Sequence, residues 1–342
     1  MPSPIPIYTA HDEKYRADSC RPLLTAAGKT LRLAALQHGH YPGNALPAGA
    51  LAGVKMVGFW DAQRDQEWGL EWHRNEGIEL AFLETGHLEF GADQCEYDLR
   101  AGDLTITRPW QLHRVGHPVV TASRLHWLII DLGVRRPDQP WRWPPWVLLT
   151  PADKEEITNL MSLNEQPVLK ANGDIRRCFK GIAHAIETDQ NGSSVSRLTS
   201  RLNDLFVSLL DVLRSRPVQY DHSLTSTSRS VQLFLDDLSA HPEHLALEWT
   251  VEEMAQSCGL GVSQFSHHVK CLVNLTPMQY LCKCRIDRAA TILAAAPASR
   301  ITDTALNLGF SSSQYFATVF RRRFGYSPRS LRLRAGTEAR KD

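Results

Sequence analysis

One pattern in this sequence constrains the fold more than any other, and it occurs twice. Val251, Met254 and Ala255 are apolar at i, i+3 and i+4, and Gly259 follows them. Fifty residues later Ile301, Ala305 and Leu308 hold a similar spacing, and Gly309 follows. Each stretch predicts a short amphipathic helix, over 251–258 and 301–308, stopped by a glycine that takes the left-handed conformation at no steric cost. Thr250 and Glu253 form a capping box, the hydroxyl accepting the N3 amide while the carboxylate reaches back. A second helix is expected after each glycine. One spans about 262–272 and buries Phe265, Val269 and Leu272; the other spans 313–324, capped by Ser311 or Ser312, and buries Phe316, Phe320 and Phe324. Small Ala255 and Ala305 stand where two helices must approach closely. A longer helix over 277–295 joins the two pairs. A lone helical hairpin with a glycine turn is common; two at matched spacing on a rigid connector predict paired helix-turn-helix units.

Charge supports this placement. The chain of 342 residues has a formal net charge of only +1. From Arg229 onward 14 Lys and Arg face 10 Asp and Glu, a net of +4, and from Arg300 onward 9 face 3, a net of +6. The preceding 228 residues carry a net of −3. A basic end on a near-neutral protein points to a polyanion partner for one domain only.

The rest of the chain reads differently. Short apolar or alternating runs at 54–60, 80–83, 87–90, 104–107 and 125–132 predict strands, separated by turn signals at Gly69, Gly86, 91–93 and 102–103. Their spacing predicts an antiparallel barrel or sandwich. Residues before about 50, rich in Pro, Gly and Ala, read as an irregular arm with a few strands. A proline- and tryptophan-rich break over 137–151 forbids a long helix. Helical periodicity then covers 154–163, 174–187 and 195–214. In the last, Leu198, Leu202, Leu205, Leu209 and Val212 form one apolar stripe, suited to packing on the barrel or to a dimer seam. Small polar residues over 217–228 read as a linker. The expected division is 1–136 barrel with its arm, 137–216 helical segment and candidate dimerisation region, 217–228 linker, and 229–342 DNA-binding domain.

No apolar run reaches the roughly 18 residues of a membrane span, and residues 1–16 lack the apolar core of a signal peptide. Seven cysteines, an odd and scattered set, argue against a disulfide scaffold and for a reducing cytoplasm. Cys258, His267, His268, Cys271, Cys282 and Cys284 do not reproduce a zinc-finger spacing. No Walker loop, Gly-x-Ser-x-Gly elbow or His-Glu-x-x-His motif is present, so a non-enzymatic protein is expected.

Residues 229–334 resemble the AraC/XylS family of transcriptional regulators. The resemblance rests on Arg285-Ile-Asp-Arg-Ala289 with Ile292-Leu293, Ile301-Thr-Asp-Thr-Ala305, Gly309-Phe310, Tyr315-Phe316, Phe320-Arg321 and Phe324-Gly-Tyr-Ser-Pro328. It implies two helix-turn-helix units on a linker helix, binding adjacent major-groove segments of double-stranded DNA. By register, Ser263, Gln264, Ser266 and His267 face the first groove, and Ser312, Ser313, Gln314, Ala317, Thr318 and Arg321 the second. Gln pairs bidentately with adenine, Ser and Thr with several base edges, Arg with guanine. Lys270, Arg321, Arg322, Arg323 and Arg329 suit phosphates, which fix register without reading sequence. The first unit departs from the family pattern: Gly261 stands where a Ser or Asn cap is usual, Val269 where Phe is frequent and His267 where Arg is frequent.

The resemblance also implies a cupin-like barrel as effector sensor. A first motif reads His73-Arg-Asn75, Glu79, Gly86, and a second reads Gly102-Asp103, Pro109, His113. Enzymatic cupins hold a divalent metal with two histidines and the glutamate of the first motif plus the later histidine; here Asn75 replaces the second histidine. His73, Glu79 and His113 could still form a two-His-one-carboxylate site. Regulatory cupins use the same pocket for a small effector without metal. That is the reading adopted, with His73, Glu79, Trp110 and His113 as the pocket and no cofactor. The expected protein is α+β and multidomain: an antiparallel cupin-like β-barrel with flanking helices, then an all-α double helix-turn-helix. Its expected function is effector-controlled transcriptional regulation, most often activation through RNA polymerase, with a homodimer left open. The rival is a cupin metalloenzyme of dioxygenase or isomerase type with an accessory helical domain.

Overall fold

The structure, a computed structural model, describes residues 21–38, 42–93, 95–216, 220–296 and 298–338. Most of the expected arm, residues 1–20, and residues 217–219 of the expected linker lie outside the described residues. The chain divides into two compact units, with the boundary between Ser226 and Thr227.

The first unit begins with α1 (Arg21–Ala26), a helix the Pro- and Gly-rich composition did not announce, then β1 (Arg32–Gln37) and β2 (Asn44–Ala45). It continues with β3 (Val54–Ala62), β4 (Leu70–His73), β5 (Ile78–Thr85), β6 (His87–Ala92), β7 (Cys95–Arg100), β8 (Asp103–Thr107), β9 (His113–Val115) and β10 (Ser123–Ile130). Then come α2 (Pro151–Ser162), β11 (Val168–Lys170), α3 (Gly173–Glu187) and α4 (Val195–Arg214). Among the described residues one sheet runs β11-β8-β5-β10-β3-β1-β2 and a second runs β4-β9-β6-β7. Every pairing is antiparallel except β1 with β2.

Strand alternation explains the core. On β10, Leu125, Trp127 and Ile129 face the second sheet and pack with Trp60, Leu83, Leu88, Phe90 and Val115. The intervening His126 and Leu128 are also buried, because α3 covers the outer face; Phe179 of α3 stacks on Phe82 of β5 at 5.4 Å. A sheet buried on both faces reads as continuous apolar runs, which is why β3, β5, β8 and β10 are legible. β7, Cys95-Glu-Tyr-Asp-Leu-Arg, is an edge strand with alternate exposed polar residues, and its apolar signal is weak.

The stripe on α4 settles one alternative. Leu198, Leu202, Leu205 and Leu209 are fully covered within the protomer, and Phe206 beside them meets Trp143 edge-on at 5.3 Å. The stripe therefore packs inside the protomer, the first of its two expected uses. The expected linker is partly ordered. Asp221 N donates to Leu163 O, and the Asp221 carboxylate accepts from Ser223 N at 2.8 Å, closing a 3₁₀ turn over His222–Thr225.

The second unit contains α5 (Thr227–Ala240), α6 (Pro242–Leu245), α7 (Val251–Ser257), α8 (Val262–Val273), α9 (Pro277–Ala295), α10 (Ile301–Asn307), α11 (Ser313–Phe324) and α12 (Pro328–Glu338). The capping box is present: Glu253 N donates to Thr250 Oγ1 at 3.1 Å and Thr250 N to Glu253 Oε2 at 2.9 Å. A second box, Thr276 with Gln279, opens α9 and was not anticipated. Phe265, Val269, Phe316 and Phe320 are buried as expected, whereas Leu272 and Phe324 are only half-buried, each lying at the last turn of its helix.

Candidate functional site

Two sites emerge, one in each unit. In the second unit α8 and α11 each follow a tight glycine turn, at Gly259 with φ of 68° and Gly309 with φ of 78°. Arg285 of α9 ties this unit together. Its Nε donates to Leu245 O at 2.7 Å, its Nη2 to Leu247 O at 2.7 Å and its Nη1 to Gly309 O at 2.8 Å. One guanidinium thus joins the segment before the first helix-turn-helix to the turn of the second. A Cβ on Gly309 would come within 2.6 Å of that guanidinium, a second reason for glycine at this turn. Asp287, two residues along α9, accepts Arg323 Nε at 3.0 Å and Nη2 at 3.2 Å, fixing α11 to the connector. Burial pushes the Asp287 carboxyl up, but the bonds and charges of Arg323 and Lys283 outweigh it and hold the carboxyl below its ordinary range. Arg323, expected at a phosphate, spends its fork on this carboxylate.

The other expected readers stand on open faces. Ser263, Gln264, His267 and Lys270 are exposed on α8, with Ser266 half-buried; Gln314, Thr318, Arg321 and Arg322 are exposed on α11, with Ser312, Ser313 and Ala317 half-buried. Among the described residues no carboxylate pairs with Lys270, Arg321 or Arg322. Ser312 caps α11, its hydroxyl accepting Tyr315 N at 3.2 Å, whereas Gly261 leaves α8 without a side-chain cap.

In the first unit the register of β4 with β9 sets His73 opposite His113, their ring centroids 4.2 Å apart. Glu79 reaches the same point from β5, in the other sheet. Just before β5, Gly77 lies against the end of β10 in the same sheet, where a Cβ would come 2.1 Å from Ile130 O. His113 Nε2 lies 3.1 Å from Glu79 Oε2, and one donor atom from each of His73, Glu79 and His113 falls within 4.8 Å of the others. His113 is 1% exposed, Asn75 4% and Glu79 9%. Burial pushes the Glu79 carboxyl up, but the hydrogen bond and charge of His113, with His73 and Asn75, hold it below the ordinary range, so it is a carboxylate. Asn75, which the sequence presents as a lost ligand, bridges the pair: its Nδ2 donates to Glu79 Oε2 and lies 3.3 Å from His113 Nε2. Trp110 is buried beside them with φ of 67°, and its indole donates to Val134 O at 2.9 Å while its backbone N donates to Asn75 O. The three expected donors are therefore brought together, and they could hold a divalent metal or a polar ligand. Trp110 instead pins the loop between β4 and β5 through Asn75.

Sequence reading missed a second buried ionic group. His126, 1% exposed, meets Glu84 at 2.7 Å under α3, where Lys180 and Arg124 also reach that carboxylate. Burial pushes the His126 imidazole down, more than Glu84 raises it. Its partners are distant in sequence and no local motif links them.

Comparison with known proteins bears on both units. A family model described as an AraC-like ligand binding domain matches residues 61–206, and one described as a helix-turn-helix domain matches residues 254–334. The HTH-type transcriptional activator RhaS of Escherichia coli (strain SE11) is 33% identical over 143 residues, which cover 42% of this chain and 49% of RhaS. The chain spans about half the length of the curated relatives it matches. Among solved structures, apo ToxT from Vibrio cholerae strain SCE256 is 12% identical over 83% of this chain and 98% of its own, with a TM-score of 0.36. The DNA-binding domain of AdpA, solved with a target DNA, is 28% identical over 31% of this chain and 94% of its own, with a TM-score of 0.28. A domain described as AraC-like ligand binding and a helix-turn-helix domain are thus matched in that order along one sequence, the order that the resemblance to AraC/XylS regulators implies.

Proposed function

We propose that the protein is a sequence-specific DNA-binding regulator of transcription whose N-terminal barrel binds a small-molecule effector. The observation that carries this reading is the second unit's design. Two recognition helices hang from one connector, tied through Arg285 and Asp287, and each presents exposed hydrogen-bonding side chains on a basic face. Ser263, Gln264, Ser266 and His267 on α8, and Ser312, Ser313, Gln314, Ala317, Thr318 and Arg321 on α11, read base edges in successive major grooves about 10 bp apart. Lys270 and Arg322 hold phosphates. The effector pocket is built on His73, Glu79 and His113, with Trp110 fixing the adjoining loop between β4 and β5. Effector binding changes how the readers are presented, with activation through RNA polymerase as the expected sign, and a cytoplasmic homodimer fits the same scheme. The protein has no catalytic role in this reading. Among the described residues no helix is long and apolar enough to cross a membrane.

The test is selection of bound fragments from genomic DNA by the full chain, followed by titration against a random duplex. A preferred site with two adjacent major-groove contacts is expected, and neutralising Arg322 should lessen the slope of log affinity against log salt by about 1. No preference over random duplex at low ionic strength would overturn the reading.

A further inference from the structure

A cavity outside the barrel carries chemistry that the proposed function does not use. It has a volume of about 570 Å³ and lies along one face of α2, between the proline- and tryptophan-rich segment over 137–143 and the 3₁₀ turn over His222–Thr225. Lys154, Thr158 and Ser162 line it at i, i+4 and i+8, so they follow one another along a single helix face, the first and last about 12 Å apart. Its walls are built in advance. The Trp143 indole donates to Thr158 Oγ1 at 2.9 Å, and that hydroxyl donates to Lys154 O at 2.6 Å. Trp141 stands beside Trp143, ring centroids 6.4 Å apart, giving two adjoining aromatic walls. Gln139 holds the segment that carries them, its side chain accepting Arg135 N at 2.7 Å and Arg136 N at 3.2 Å. Beyond the last turn of α2, Asp221 N donates to Leu163 O, which brings His222 and Thr225 to that end of the cavity.

The two ends differ chemically. Ser162 is 6% exposed, and among the described residues its hydroxyl has no hydrogen-bond partner. A buried hydroxyl left that way costs free energy, which a ligand atom in the cavity recovers. Lys154 is half-buried and, among the described residues, pairs with no carboxylate. Its neighbours Asp153 and Glu156 are taken by Arg214, at 2.6 and 2.5 Å. Of the acids lining the cavity, Asp138 faces Arg136 at 3.7 Å and Glu155 is exposed.

We propose that this cavity binds a flat, elongated organic acid, with its carboxylate on Lys154, its body against Trp141 and Trp143, and a polar group at its far end on Ser162. The volume suits a small molecule. Because His222 and Thr225 close the Ser162 end, the occupant joins α2 to the turn that precedes the unit boundary after Ser226. Neither the barrel trio nor the DNA-reading helices line the cavity, so its test is independent of the proposed function.

The test uses the full chain and 6-hydroxy-2-naphthoate, which carries a carboxylate and a hydroxyl at opposite ends of a flat body, in equilibrium dialysis. Its relative 2-naphthoate lacks the hydroxyl, and 2-naphthol lacks the carboxylate. One bound acid per chain is expected. Lys154→Met, which keeps the apolar stem, should weaken the hydroxy acid roughly tenfold and leave 2-naphthol unchanged. Ser162→Ala should weaken the hydroxy acid about threefold and leave 2-naphthoate unchanged. It should not lower the thermal midpoint of the free protein, since no partner is lost. The N–H groups of Leu224 and Ser226, which bond within the turn, should exchange more slowly on binding. No binding at about 1 mM, equal losses for the hydroxy acid and 2-naphthol in Lys154→Met, or unchanged turn exchange at saturation would each overturn the proposal. So would binding unchanged in Lys154→Met and Ser162→Ala but lost in His113→Ala, which would assign the acid to the barrel.

Discussion

The two helix-turn-helix units divide their caps in opposite ways. In the first, the supporting helix α7 has a full capping box, while the recognition helix α8 begins at Gly261 with no side-chain bond. In the second, the supporting helix α10 begins at Arg300 with no side-chain bond, while the recognition helix α11 begins on Ser312. Packing follows the same division. α11 rests on an aromatic ladder, Phe310 to Phe316 at 5.1 Å, Phe316 to Phe320 at 5.5 Å and Phe320 to Phe324 at 4.8 Å. α8 contributes one such contact, Phe265 against Phe234 at 5.7 Å, and then the smaller Val269. A recognition helix whose first turn is fixed loses less entropy on binding, so the second unit should carry more of the base discrimination.

The largest test of this comparison removes what the two units share. Arg285→Met should cost about 3–5 kcal/mol, because three carbonyls lose one charged donor and buried acceptors are left unmet. Urea unfolding followed by helical circular dichroism would measure it; a loss under about 1 kcal/mol would mean that the guanidinium is not the tie. Next, Gln314→Ala should cost about 1–3 kcal/mol at one base position, and Gln264→Ala less at its own. Affinities across a base-substitution series decide this, and equal losses would erase the asymmetry. Ser312→Ala should then cost about 1 kcal/mol of stability, and weaken specific binding more than Thr250→Ala does. Smallest, Gly261→Ser should gain a few tenths of a kcal/mol and raise discrimination at the first half-site. No change there would show that the missing cap is not what limits α8.

Legibility varied with the range of the signal. The bounds of α4, α9 and α11 follow from apolar period, caps and glycine or proline punctuation, all local. The central strands β3, β5, β8 and β10 were visible because burial on both faces makes them continuously apolar. β1, β4, β7 and β9 were not, being short, half-exposed or at an edge. At the barrel site the identities of His73, Glu79 and His113 were legible as a motif. Asn75 was read as a defect, because sequence shows a substitution but not the two acceptors its amide joins. Arg285 was visible within a family motif, yet its partners lie 24 to 40 residues away and only folding brings them to one guanidinium.

By itself the sequence determined the elements that short-range physics governs: where helices start and stop, which strands are fully buried, and which residue types stand ready to read DNA. Tertiary structure decided what depends on convergence. It turned the α4 stripe inward, spent Arg323 on Asp287, and brought two imidazoles to one carboxylate. Periodicity and caps act over a few residues and leave a trace in the local pattern. Pairings between strands and helices depend on register and packing across the whole chain, and no window of sequence contains them.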